Sequence, residues 1–208
     1  MSLRRLVPTV VASTVAVVAA GCGGSAAGDA DGKLSVATST SAWAGVVRAV
    51  AGDSVTVSAV IDDPVADPHS YESTAEDALT FTKADLVVIN GGGYDAFAEK
   101  LAEQAPDVPV IDAFAVSGRG SEEEHDHGDD HAEDHDGHAH EHGAVNEHVW
   151  FDLDTVEAVA DEVVAHLGAL APERKAEFEA NGKKFAQGLA KLRQELTALR
   201  KAAAGQRG

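Results

Sequence analysis

The chain has 208 residues, and 16 Lys and Arg against 35 Asp and Glu leave a formal charge of −19. Such an acidic excess repels phosphate backbones and anionic lipid surfaces, which excludes nucleic-acid binding and points toward cations. With a single Cys, neither an intramolecular disulfide nor a cysteine zinc knuckle can form, so any metal site must be built from His, Asp and Glu.

Arg4 and Arg5 precede an uncharged, largely apolar run over residues 6–20, too short to span a bilayer and laid out like a secretory signal peptide. The run closes on Val18-Ala19-Ala20-Gly21-Cys22, which resembles the bacterial lipobox. That resemblance implies removal of residues 1–21, a lipid on Cys22, and an extracytoplasmic protein anchored to the outer face of the membrane. Residues 22–32, mostly Gly, Ala, Ser and Asp, read as a flexible tether. Loss of Arg4 and Arg5 takes the mature charge to 14 − 35 = −21.

From residue 33 strand and helix patterns alternate. Residues 34–38 form a short β-branched run, and Trp43, Val46, Val47 and Val50 follow at helical spacing until Gly52. Residues 55–61 read as a second strand. Thr74 can cap a helix through Ala84, and residues 86–89 are a fully apolar third strand closed by Asn90 and three glycines. Tyr94, Phe97, Ala98 and Leu101 lie on one helix face, and residues 108–111 supply a fourth strand. Four strands separated by helices predict an α/β lobe with a parallel sheet and helices on both faces. Ligands of such sheets bind beyond the carboxyl ends of the strands.

The lobe is expected to cover residues 33–170, interrupted by a His- and acid-rich insert over 119–145. Within 122–142 stand seven histidines (His125, His127, His131, His135, His138, His140 and His142) and ten acids, with only Gly and Ala besides. Nothing in that stretch can contribute to a core, whereas neutral imidazoles among carboxylates suit weak, multiple binding of a borderline cation such as Zn(II). Downstream, Val156, Val159, Ala160, Val163, Val164, Leu167 and Leu170 fit an amphipathic helix capped by Asp154. Pro172 opens a second one. Phe178, Phe185, Leu189, Leu192, Leu196 and Leu199 stripe a helix over 172–204; its core of 173–203 would be roughly 45 Å long at 1.5 Å per residue.

Three histidines lie outside the insert. His166 sits on a helix beside Leu167 and reads as structural or surface. His69, in Asp67-Pro68-His69-Ser70-Tyr71-Glu72, and His148, in Asn146-Glu147-His148-Val149-Trp150, fall where the sheet geometry places a site. These two motifs, the strand Leu86-Val87-Val88-Ile89-Asn90-Gly91, and the His/acid insert between them resemble the zinc and manganese substrate-binding lipoproteins of ABC importers. The likeness runs from Leu34 to about Leu199. It implies two α/β lobes joined by a long rigid helix, with the metal held between them by His from each side and a final carboxylate. It therefore implies His69 and His148 as first-lobe ligands, residues 172–204 as the connecting helix, and an absent C-terminal lobe with the remaining ligands. In that family the second motif commonly reads Asp-Pro-His-x-Trp. Here Asn146-Glu147 replace Asp-Pro, so the approach to His148 is expected to differ and Glu147 becomes a candidate auxiliary ligand, beside the seven insert histidines.

The function implied is zinc capture outside the cytoplasm and delivery to an ABC permease, by a monomer with no catalytic step. Imidazole donors favour Zn(II) over Mn(II), which prefers carboxylate and water. The alternative is a surface zinc buffer acting through the insert without a permease. A zinc hydrolase is disfavoured because no His-Glu-x-x-His helix is present, no Gly-x-Ser-x-Gly elbow supports a serine mechanism, and the glycines at 91–93 lack the Lys-Ser/Thr of a phosphate loop.

Overall fold

The computed structural model describes residues 32–120 and 146–205. Cys22, the leader, all but the last residue of the tether and the seven insert histidines lie outside those residues.

Four strands form one parallel sheet: β1 (Leu34–Thr40), β2 (Val55–Ile61), β3 (Leu86–Ile89) and β4 (Val110–Asp112), in the order β2-β1-β3-β4. Burial fits the interior place of β3. β3 is buried on both faces along its whole length, which a near-continuous Leu-Val-Val-Ile run permits only in the middle of a sheet. Alternation along the strands then sorts side chains into two cores. Val36, Leu86 and Val88 face α1 (Ser41–Ala51), α5 (Leu153–Leu170) and the start of α6 (Lys175–Gly205), where Trp43, Val47, Val159, Val163 and Phe178 are buried. Ala37, Val87 and Ile89 face α2 (Ala75–Lys83) and α3 (Ala96–Glu103), packing on Phe81, Phe97 and Leu101. Each buried large side chain contributes about 1.5–3 kcal/mol, and the layout confirms a parallel α/β lobe with helices on both faces.

Several boundaries move from the sequence expectation. β1 runs two residues further, to Thr40. β4 begins at Val110, not 108: Pro109 has no N–H for the ladder and only its carbonyl accepts, from Val87 N at 2.9 Å. Thr74 does cap α2, in a full capping box with Asp77. α5 is capped by Asp152, not Asp154; Asp152 Oδ1 accepts from Asp154 N at 3.1 Å, while the Asp154 carboxylate pairs with Arg193 on α6. A 3-10 turn over Pro172–Arg174 precedes α6, which starts at Lys175 and is 31 residues long. That length gives about 46 Å. Tyr94 stands before α3 in the turn, not on the helix. Arg119 and Gly120, assigned by sequence to the insert, belong to the folded body, as does a one-turn helix α4 (Ala113–Val116).

α6 is fastened to the lobe by polar contacts at intervals. Ser54 Oγ donates to Glu177 (2.8 Å), Asn181 Nδ2 donates to Val50 O (2.9 Å), and Arg193 donates to Glu157, Asp154 and Leu153 O (2.7, 2.6 and 2.9 Å). Beyond Leu189 its stripe emerges from the packing, and Leu192, Leu196 and Leu199 are exposed.

Because β1 leads to β2 on one side and β3 lies on the other, the chain reverses its winding between β1 and β3. In a doubly wound sheet the crevice outside that point is where ligands bind.

Candidate metal site

His69 is placed by local chemistry. Asp67 Oδ1 accepts the His69 N–H at 3.1 Å, and Pro68, buried, opens a 3-10 turn over Pro68–Ser70. A short acidic side chain that captures the amide two residues on makes an Asx turn, and the proline ring presets the first φ of the turn. The imidazole is thereby lifted off the end of β2, with its side chain 48% exposed.

His148 is placed by the same device. Asn146 Oδ1 accepts the His148 N–H at 3.0 Å, so the Asn that replaces Asp performs the same capture. Beyond that amide the two turns diverge. His148 has φ −77° and ψ 54°, and Val149 N donates to Glu147 O at 2.8 Å, which is an inverse γ-turn with the histidine at its centre. The carbonyl of Glu147 also accepts from Asn90 Nδ2 at 2.9 Å, a bond between the end of β3 and this segment. Asn146 Oδ1 lies 2.9 Å from His148 Nδ1. A carboxamide oxygen only accepts, so in the neutral tautomer that makes this bond Nδ1 is the donor and Nε2 keeps a lone pair.

Glu147 lies between the two rings. Its Oε1 is 3.7 Å from His69 Nε2 and 3.7 Å from His148 Nδ1. Tyr94 forms a wall behind them, with ring centroids 5.1 Å from His69, 5.7 Å from His148 and 4.4 Å from Trp150. Burial, and then the negative charges of Asp95, Asp67 and Glu147, push the Tyr94 phenol above its ordinary value, so it stays neutral. The same carboxylates give the crevice a potential suited to cations.

Residues 36–207 match the family model described as the periplasmic zinc-uptake complex component A, ZnuA. The chain belongs to that family. This ZnuA-family chain is similar to the metal ABC transporter substrate-binding lipoprotein FimA of Streptococcus parasanguinis, at 31% identity over 84% of the chain and 54% of FimA. It is similar to the manganese lipoprotein PsaA of Streptococcus pneumoniae at 32% identity over 78% of the chain and 50% of PsaA. It thus spans about half the length of the curated relatives it matches. Among solved structures it resembles FpvC of Pseudomonas aeruginosa in complex with Mn2+ (TM-score 0.61, 26% identity, 80% of the chain and 56% of FpvC). The periplasmic zinc-binding protein TroA of Treponema pallidum gives a TM-score of 0.59 at 25% identity, over 77% of the chain and 53% of TroA. The family is one of substrate-binding components of importers, not of enzymes.

His69, Glu147 and His148 are neighbours, yet among the described residues no three His, Cys, Asp or Glu converge closely enough to hold an ion. Glu147 approaches His69 on its Nε2 side but His148 on its Nδ1 side. His166 stands apart on α5, 3.9 Å from Glu162, as a surface residue.

The supports of the site are what sequence reading misses. In the sequence Asn90 reads only as the end of a strand, Tyr94 as a helix-face residue, and Asn146 as a departure from a motif. The recurring pattern Asx-x-His, at Asp67-Pro68-His69 and Asn146-Glu147-His148, is the signal available. Arg119 is a further support, since Nη2 donates to Asp152 Oδ2 at 3.0 Å and Nη1 reaches Asn146 O at 3.5 Å. Burial alone would raise the Asp152 carboxyl, but the hydrogen bonds from Arg119, Asp154 N and Thr155 outweigh it and hold the carboxyl below its ordinary range.

Proposed function

We propose that the protein captures a transition-metal cation outside the cytoplasm and hands it to the permease of an ABC importer, with zinc as the preferred ion. His69 Nε2 and His148 Nε2 are the ligands this lobe supplies, and Glu147 is the auxiliary carboxylate. Two histidines are too few for zinc, which takes four ligands in closed sites, so the remaining donors come from outside the described residues. The observation that carries the reading is the paired Asx turns, which hold two imidazoles each 3.7 Å from one carboxylate oxygen of Glu147 at the carboxyl edge of a parallel sheet. Preference for zinc follows from nitrogen donors and the affinity order of divalent ions. Relatives are named for manganese as well as zinc, so the ion is a point to test.

Cys22 is proposed to carry the lipid anchor, in keeping with relatives named as lipoproteins. The seven insert histidines, His125 to His142, are proposed as weak auxiliary sites that raise local zinc. Zinc titration of the whole chain against a competing chelator tests the assignment. His69→Ala and His148→Ala should each abolish the tightest phase and leave the weak ones, and a double variant that keeps the tight phase would refute it. Running the titration with Mn(II) tests the ion: manganese binding as tight as zinc would overturn the preference.

A further inference from the structure

We propose that Asn90 is a positioning residue for the metal site: its carboxamide fixes the Glu147 carbonyl and so sets where His148 stands. The inference rests on the assignment of His148 as a ligand. Asn90 is fully buried at the end of β3. Its Oδ1 accepts from Trp43 Nε1 at 3.2 Å, which fixes the orientation of the amide, and Nδ2 then donates to Glu147 O at 2.9 Å and to Gly91 O at 3.0 Å. Its backbone is equally engaged, the N–H donating to Asp95 Oδ2 at 2.7 Å and the carbonyl accepting from Phe114 N at 2.8 Å.

This residue cannot turn without leaving buried donors or acceptors unpaired, which is unfavourable away from water. A γ-turn closed by one hydrogen bond is by itself a weak element. Here the carbonyl that closes it is shared, accepting from Val149 N inside the turn and from Asn90 Nδ2 outside it. The turn that carries His148 is therefore referenced to the sheet and, through Trp43, to α1. A second long-range hydrogen bond to the turn, Arg119 Nη1 to Asn146 O, is at 3.5 Å and exposed.

Asn90→Asp is isosteric and keeps the acceptor for Trp43, but it sets an oxygen against the Glu147 and Gly91 carbonyls. Val163→Ala, a cavity in the α5 core where Val163 is fully buried, serves as a destabilised comparator remote from the site. In the metal-free full chain, Asn90→Asp should speed amide exchange at Val149. It should also raise the zinc Kd of the tight site by about tenfold or more, the usual effect of removing an outer-shell partner, and alter the visible spectrum of the Co(II) form. Val163→Ala should lower Tm and leave all three readouts unchanged. If Asn90→Asp does not fold, Asn90→Ser, which also removes the donor, takes its place. Unchanged exchange in the Asn90 variant, or equal loss of affinity in Val163→Ala, would overturn the proposal. Affinity lost in His148→Ala but kept in the Asn90 variant would also overturn it. Faster exchange with affinity kept in both would instead locate the failure in the ligand assignment.

Discussion

The two histidine turns use one chemistry and two kinds of support. In Asp67-Pro68-His69 the capture of the His69 amide is reinforced by the adjacent ring of Pro68, so the geometry is set within three residues. In Asn146-Glu147-His148 the capture is the same, but no proline stiffens it, and the turn is held from 57 residues away by Asn90. A proline fixes a turn through the chain itself, whereas its absence transfers the task to the fold. The first turn should therefore tolerate damage to the sheet edge and the second should not.

The largest effect is expected from Gly91→Ala. Gly91 has φ +73°, and a Cβ there would run into the Asp112 carboxylate that caps α4. Left-handed backbone costs a side-chain-bearing residue about 1–2 kcal/mol before the collision is counted. Thermal unfolding should fall by several degrees, and zinc affinity should fall with it, because Asn90 loses its footing. Unchanged Tm and affinity would show that the β3 edge does not reference the second turn.

Next in size are the captures themselves. Asp67→Ala and Asn146→Ala should each weaken zinc binding about tenfold, as loss of an outer-shell partner does, while Asn146→Asp, which keeps an acceptor, should bind as the parent does. If Asn146→Asp were as weak as Asn146→Ala in calorimetry, the two turns would not share a mechanism. Glu147→Gln, which removes the charge of the auxiliary carboxylate, should have a smaller effect, weakening zinc binding by less than the loss of a capture and slowing association at low salt.

The smallest effect concerns acid stability near the second turn. Asp152 has a carboxyl held below its ordinary value, so the unfolded chain binds its proton more readily than the folded one. Its stabilisation is complete above about pH 4, the unfolded carboxylate range, and fades as pH falls through the depressed folded value. Asp152→Asn should lower Tm at pH 7 and lose that difference in strong acid. A Tm difference that grows on acidification would reverse the assigned sign.

Most of the fold is readable because it rests on local pattern. Residues 86–89 are apolar without interruption and could only be a central strand, and Thr74 with Asp77 announces a helix start. What is not readable depends on partners distant in sequence. Asp154 reads as the cap of α5, but Arg193 claims its carboxylate and Asp152 caps the helix instead. Tyr94 falls at helical spacing from Phe97, yet the chain has not begun its helix there and the ring turns to the imidazoles. The strand order β2-β1-β3-β4 leaves no mark on periodicity. His69 and His148 are found through motif resemblance, and their shared Asx capture is readable in the residues, but Asn90 carries no local sign that its amide reaches Glu147.

X-ray absorption at the zinc edge, on protein lacking residues 122–142 and loaded with one equivalent of zinc, counts the imidazoles bound to the ion. Removing the insert leaves His69, His148 and His166 as the only imidazoles in the chain. Two imidazole nitrogens at about 2.0–2.1 Å are expected, falling to one in either His69→Ala or His148→Ala and staying at two in His166→Ala. An imidazole count that does not change in the His69 and His148 variants would contradict the account.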